Sequence, residues 1–174
     1  MAQYNKVMIF IDGSNLFHSC RDLKIKIKYE KFLPLLKQDK NVIRIFFYTG
    51  IKPPGSKEKA FIKMLQYLEM DVTTKLLKVR YVTCRACKKK SKIFTEKGID
   101  ASLATDLLWY AFHNAYDMAI IVTGDADFIP PIERARSLGK RIELWAFKHT
   151  LGKELKGIVD KVFYIDDIVE EIKK

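Results

Sequence analysis

The sequence predicts an α/β fold: a mainly parallel, twisted sheet with helices over both faces. Three observations carry this. Apolar runs of strand length alternate with segments of helical spacing, the pattern of a parallel sheet with crossover helices. Two of the runs, Val7-Met8-Ile9-Phe10-Ile11 and Ala119-Ile120-Ile121-Val122, are apolar at every position, as strands buried on both faces are. Both lead into acids, Asp12 after the first and Asp125 and Asp127 after the second. In doubly wound α/β folds ligands bind beyond the carboxyl ends of the strands, so two strands can bring carboxylates to one crevice.

The elements follow in order. Residues 7–11 form a strand, and 14–23 a helix with Ser14 as its N-cap. Lys24-Ile25-Lys26-Ile27-Lys28 reads as a short edge strand guarded by lysines. Residues 29–39 make a second helix, with Phe32, Leu35 and Leu36 at helical spacing. Val42 to Tyr48 is a strand. Pro53-Pro54-Gly55 breaks the chain, and a helix over 56–69 turns Met64, Leu65 and Leu68 inward. A strand is expected near 71–75. Residues 76–97 leave this rhythm as a hairpin or loop, with Tyr81-Val82 and Ile93-Phe94 as short strands around Cys84-Arg85-Ala86-Cys87. A long helix runs from Asp100 to Tyr116, and the second acidic strand covers 118–123. Residues 128–138 are helical, with Pro130 tolerated in the first turn and Gly139 as the C-terminal stop. Arg141 to Phe147 is a strand, 151–158 a helix, 162–165 a short strand, and Asp166 and Asp167 open a final helix at its positive dipole end.

The 174 residues, 48% of them hydrophobic, suffice for one domain over 1–174 with its own core and a basic insertion at 76–97. No apolar stretch approaches the ~18 residues that span a membrane. The segment Met1-Ala2-Gln3-Tyr4-Asn5-Lys6 lacks a signal-peptide core, so a cytoplasmic protein is expected. The formal charge of +11 suits a polyanion, most often nucleic acid, although a highly charged surface in a lysine-rich proteome would look the same.

Asp12, Asp100, Asp125 and Asp127 stand at element boundaries, and Asp106 lies within the long helix. Two carboxylates about 5 Å apart repel by roughly 3 kcal/mol at an effective dielectric of ~20. Several together either hold protons or bind a cation. Hard oxygen ligands suit Mg²⁺ or Mn²⁺ better than zinc, and His18 is the only histidine near these acids in sequence. Each acid also has a plainer reading. Asp12-Gly13 and Gly124-Asp125 could be turn chemistry, Asp100 and Asp127 could cap their helices, and Asp106 could be a solvated helix residue.

Ile11-Asp12-Gly13-Ser14-Asn15-Leu16, then Lys97-Gly98-Ile99-Asp100 with Leu103-Ala104-Thr105-Asp106, then Thr123-Gly124-Asp125-Ala126-Asp127-Phe128, together resemble a NYN domain of the LabA-like group, within the PIN-like nuclease class. The likeness covers nearly the whole chain, with three motifs in order. It implies a PIN-like, Rossmann-like three-layer α/β/α sandwich and metal-dependent cleavage of RNA. By the same resemblance Asp12, Asp100, Asp125 and Asp127 match the metal-holding acids. Asn15 matches the asparagine that accompanies the first acid, and Asp106 a recurrent acid of the group. Thr123 stands where a serine is common and keeps the hydroxyl. Gly152, Leu155 and Val159-Asp160 take the places of the serine, leucine and Ala-Asp pair common near the family's C-terminus. Such a site would hold Mg²⁺ or Mn²⁺ and activate water for attack on a phosphodiester. Asn15 and Thr123 would hydrogen-bond ligands or phosphate, and the helix opening at Ser14 would aim N–H groups at the anion.

Residues 75–97 carry Lys75, Lys78, Arg80, Arg85, Lys88, Lys89, Lys90, Lys92 and Lys97 against Glu96, a net +8 of the chain's +11. Such an arm could grip RNA phosphates while Tyr81 and Phe94 stack bases. The plainer reading is a solvated loop pinned by its aromatics. Cys84-x-x-Cys87 is half of a zinc site, since about four ligands are needed. Two thiols in a tight turn is the simpler account, unless Cys20, His18 or a second subunit of a homodimer completes it. His113 and His149 read as ordinary helix and loop residues. Two other classes remain: a module on the same scaffold that binds RNA or a nucleotide without cutting it, and an aspartyl phosphotransferase or phosphatase. Haloacid-dehalogenase-type sites carry a second Asp two residues after the first; here Ser14 occupies that place.

Overall fold

The computed structural model describes residues 6–52, 55–83, 85–95 and 97–174. In chain order the strands are β1 (Val7–Asp12), β2 (Val42–Ile51), β3 (Asp71–Leu76), β4 (Lys78–Thr83), β5 (Lys90–Thr95), β6 (Met118–Val122), β7 (Arg141–Ala146) and β8 (Lys161–Tyr164). The helices are α1 (Gly13–Asp22), α2 (Tyr29–Lys37), α3 (Ser56–Tyr67), α4 (Ile99–Phe112), α5 (Ile129–Ser137), α6 (Leu155–Ile158) and α7 (Val169–Ile172), with 3-10 turns at Ala126–Phe128 and Ile165–Ile168.

Six strands form one sheet in the order β3-β2-β1-β6-β7-β8, and every neighbouring pair is parallel. The side-chain period of two sends alternate residues to opposite faces. Val7, Ile9, Ile11, Ile45, Phe47, Ile120 and Val122 pack against Leu16, Phe32, Leu36 and Leu65 of α1, α2 and α3. Met8, Phe10, Phe46, Tyr48, Ala119 and Ile121 pack against Leu103, Leu107 and Ile132 of α4 and α5. Burial on both faces explains why β1 and β6 lack the apolar–polar alternation of a half-exposed strand. The result is the expected three-layer α/β/α sandwich. The basic segment forms its own antiparallel pair, β4 with β5, joined among the described residues to no other strand. Among the described residues no helix is long and apolar enough to cross a membrane.

Several boundaries differ from expectation, each for a local reason. Asp12, not Ser14, caps α1. The Lys24–Lys28 segment is a connection that makes only an isolated bridge, Ile27 to Lys173, with Lys24 in the left-handed region. The long helix stops at Phe112 rather than Tyr116, because Asn114 adopts φ +53° and the Ala115 N–H turns back to Tyr110 O, an asparagine in the role usually left to glycine. Residues 151–154 do not join α6; the Gly152 N–H donates instead to Gly124 O at 3.1 Å. Gly139 does end α5, at φ +81°. Pro53 and Pro54 lie outside the described residues.

Candidate active site

Chain order reverses between β1 and β6, which lie side by side at the middle of the sheet. That reversal opens a crevice at the carboxyl edge of a doubly wound sheet. Ile11 pairs with Val122, so Asp12 and Thr123 leave adjacent strands at the same level.

Asp12 is 2% exposed. Its Oδ1 accepts the Asn15 N–H at 2.9 Å, which makes it the N-cap of α1, and its Oδ2 accepts the Thr123 hydroxyl at 2.9 Å. Both oxygens of this buried carboxylate thus accept hydrogen bonds at the positive end of α1. Thr123 Oγ1 also accepts the Asp125 N–H at 3.2 Å. Asn15 Oδ1 accepts the Gly124 N–H at 3.0 Å. Backbone and side chain thus stitch the end of β1 to the loop after β6.

The remaining acids lie beyond this clamp. Asp125 Oδ1 accepts the Asp127 N–H at 2.9 Å, so Asp125 rather than Asp127 caps the turn that follows. Asp100 occupies the first turn of α4, and the cap is Gly98, in the left-handed region at φ +87°. Asp100 is exposed and has no hydrogen-bond or ion-pair partner among the described residues. Partial desolvation, then the charges of Asp125 and Asp127, raise its carboxyl above the ordinary range. No described lysine or arginine forms an ion pair with Asp100, Asp125 or Asp127. The structure therefore joins Asp12, Asn15 and Thr123 by hydrogen bonds and sets Asp125 and Asp127 near enough to Asp100 for their charges to act on its carboxyl, with Asp125 tied to both sets. Among the described residues, no three His, Cys, Asp or Glu side chains already stand close enough to hold a metal ion.

Asp106 goes elsewhere. Its Oδ2 accepts the Tyr48 hydroxyl at 2.8 Å, tying α4 to β2. Tyr48 is fully buried, and burial first, then the Asp106 contact, push its phenol far above the ordinary value.

Sequence reasoning missed the brace behind the acids. The Ser19 hydroxyl, fully buried on α1, donates to Asn15 O at 2.8 Å and lies 3.3 Å from Thr150 Oγ1. A Cβ on Gly124 would lie 2.6 Å from Thr150 O, and one on Gly13 would overlap the Phe47 ring. Both glycines stood beside acids in the motifs, but nothing local marks Ser19, Thr150 or Tyr48 as their supports. Gly152 packs beside Gly124 and Ala126. Asp160 lies at the opposite edge, where burial works to raise its carboxyl but the Ile142 N–H, Arg141 and Arg136 hold it below the ordinary range.

Lys75, Lys78, Arg80, Arg85, Lys88, Lys89, Lys90, Lys92 and Lys97 are all exposed. β3 runs parallel to β1 and ends at the acid edge, and α4 begins there, so the intervening hairpin springs from the side of the sheet that carries the site. Cys87 is an exposed free thiol, while Cys84 lies outside the described residues. Cys20 is a buried core thiol whose pKa desolvation raises to about 11. His113 Nδ1 sits 2.8 Å from Trp109 O, and His149 lies against the Phe147 ring.

Comparison with known proteins agrees with this architecture. A family model described as NYN domain matches residues 6–166. The low amplitude and bright protein LabA of Synechococcus elongatus is 24% identical over 176 residues, covering 98% of this chain and 89% of that protein. The crystal structure of a protein of unknown function from Vibrio parahaemolyticus shares the fold at a TM-score of 0.78 and 22% identity, over 100% of this chain and 99% of that one.

Proposed function

We propose that this chain, which belongs to the NYN domain family, is a metal-dependent ribonuclease that hydrolyses RNA phosphodiester bonds beyond the ends of β1 and β6. One observation carries the reading: desolvation, and then the charges of Asp125 and Asp127, raise the cost of ionising Asp100, and no described lysine or arginine forms an ion pair with any of the three. Acids so placed bind a cation or hold protons.

The donor set fits a hard divalent ion. It is all oxygen, open to solvent at Asp100 and Asp127, and free of histidine and thiolate, which suits Mg²⁺ or Mn²⁺ rather than zinc. Asp100, Asp125 and Asp127 would hold the ion, with Asp12 behind them. The ion would supply positive charge for the phosphate and lower the pKa of attacking water.

The chain's own groups divide the remaining tasks. Asp12 fixes the end of β1 and adds negative charge beneath the crevice. Thr123 orients Asp12 and the Asp125 loop and does not reach for substrate. Asn15 spends its carbonyl on Gly124 and keeps its amide N–H groups as donors for a phosphate oxygen. The N-terminus of α1 is already capped by Asp12, so its dipole steadies that carboxylate. Asp106 anchors α4 through Tyr48 and thereby sets where Asp100 stands. The exposed cations of the hairpin, Lys75, Lys78, Arg80, Arg85, Lys88, Lys89, Lys90 and Lys92, would neutralise phosphates along the strand.

A second reading, binding without cleavage, draws support from Asp12, whose two oxygens both accept hydrogen bonds. One assay divides the two. The protein is incubated with RNA, single-stranded DNA and a phosphate monoester, with and without Mn²⁺ or Mg²⁺. The nuclease reading expects RNA cleavage only with the metal, abolished in Asp125→Asn. It also expects a metal-dependent rise in Tm: saturation at about 100 times Kd is worth ~2.7 kcal/mol. RNA bound but intact at every metal concentration would establish the binding module instead.

A further inference from the structure

The hairpin is built unlike the rest of the molecule. Among the described residues, no hairpin residue belongs to either core cluster, and Val79, Tyr81, Val82, Ile93 and Phe94 are all exposed. An isolated two-stranded hairpin is marginally stable in water, and apolar side chains on such an arm gain nothing from the core.

The pairing sorts these residues by face. Residues directly opposite in an antiparallel pair share a face. Val79 faces Phe94, Tyr81 faces Lys92, and Thr83 faces Lys90, so one face presents both aromatics together with two lysines. The aromatics are not equivalent. The Phe94 ring already has Lys52 Nζ at 4.8 Å and Lys92 Nζ at 5.2 Å. Tyr81 is 72% exposed and has no hydrogen-bond, ion-pair or ring partner among the described residues. Phe94 thus gathers cations, while Tyr81 offers an open ring face beside them.

We propose that this face of the hairpin is a clamp for unpaired nucleic acid, in which Tyr81 stacks one base while Lys90 and Lys92 neutralise the flanking phosphates, so that the acid site receives single-stranded rather than duplex RNA. The assignment of this strand as the site's substrate rests on the ribonuclease reading; the clamp itself does not. An aromatic face can stack only on a base whose own face is free. In an A-form duplex the bases are stacked on one another, and shape, phosphates and 2′-hydroxyls are what a protein reaches. Lysines alone would not discriminate between the two forms. The root of the arm lies at the carboxyl edge of the sheet, where α4 and Asp100 begin, so the arm and the acids rise from one side of the molecule.

The test is binding measured with chelator present, so that hydrolysis plays no part. Fluorescence anisotropy compares single-stranded RNA, single-stranded DNA and duplex RNA against the full chain. Tyr81→Ala should weaken single-strand binding by roughly 5- to 100-fold, leave duplex binding unchanged, and leave the salt dependence of single-strand binding unaltered. Tyr81→Phe should restore affinity. Lys90→Ala with Lys92→Ala should instead flatten the salt dependence, by about 0.7 in log–log slope for each phosphate no longer neutralised. Neither variant touches the core, so an unchanged Tm is the folding control.

Equal losses on single strand and duplex, no loss with Tyr81→Ala, or displacement of RNA by polyglutamate as readily as by an oligonucleotide would each overturn the clamp. Failure of the nuclease reading looks different. Tyr81-dependent binding without cleavage in Mn²⁺ refutes the hydrolase and leaves the clamp, whereas cleavage indifferent to Tyr81→Ala does the reverse.

Discussion

Replacing Thr123 by valine tests whether the acid loop is held as described. Thr123 is 2% exposed, and its hydroxyl performs two tasks: it donates to Asp12 Oδ2 at 2.9 Å and accepts the Asp125 N–H at 3.2 Å. Valine keeps the branched shape, so the loss is almost wholly that of the hydroxyl. A hydrogen bond to an ionised group is worth about 1.5–3 kcal/mol. The Asp125 N–H bond is longer and only part-buried, so water can replace much of it. The substitution should therefore cost about 2–3 kcal/mol. In a chain of this length each kcal/mol shifts Tm by roughly 2–4 °C, giving a fall of about 5–10 °C by circular dichroism in metal-free buffer. Thr123→Ser keeps the hydroxyl and should recover most of the loss. If the valine and serine variants unfold together at the parent's temperature, the Thr123–Asp12 bond contributes nothing and the rigid-clamp argument fails.

Three further outcomes are expected. Because the Asp100 carboxyl titrates above its ordinary value, it weakens the fold at pH above both its folded and unfolded values, and this cost fades as pH falls through the folded one. Asp100→Asn should thus stabilise the metal-free protein at neutral pH and lose that advantage on acidification, read as urea midpoints at the two conditions. Gly124→Ala would set a methyl 2.6 Å from Thr150 O; a backbone carbonyl cannot swing aside, so overpacking of about 1–3 kcal/mol is expected in urea unfolding. Tyr48→Phe removes the donor to Asp106 at 2.8 Å and should cost about 1–2 kcal/mol, since the half-exposed carboxylate can turn partly to water. Its effect should be non-additive with Asp106→Asn in a double-mutant cycle.

How much of this was legible depended on whether the signal was local. β1 and β6 could be read because burial on both faces leaves an uninterrupted apolar run, and Gly139 because a glycine after a helical segment has few other uses. Asn114 ends α4 by the same backbone geometry, but asparagine is common in helices and loops alike. The cap of α1 was misplaced because Asp12 is both the last residue of a strand and the first partner of a helix, and residue type favours Ser14 equally. The partnership of Asp106 with Tyr48 spans 58 positions, and that of Ser19 with Thr150 spans 131. Such contacts exist only once the sheet brings β2, α4 and the loop after β7 to one edge. The charge of the hairpin was visible as composition. Its division into an aromatic–lysine face required the register, because a slip of one residue would send Tyr81 and Phe94 to the other side.

The acids at this edge divide by what holds them, and the division separates structure from chemistry. Asp12 and Asp125 each cap the turn that follows, so their carboxylates accept N–H groups from the chain itself. Those bonds are part of the fold. Asp100 has no such bonds and stands exposed against two like charges, so removing its charge relieves the fold. Sites that bind and transform ligands keep destabilising groups that folding alone would discard. The sign of the stability change on Asp→Asn substitution, negative at Asp12 and positive at Asp100, therefore separates an acid whose bonds build this edge from one whose charge the fold would be more stable without. That contrast needs no substrate and no activity to be observed.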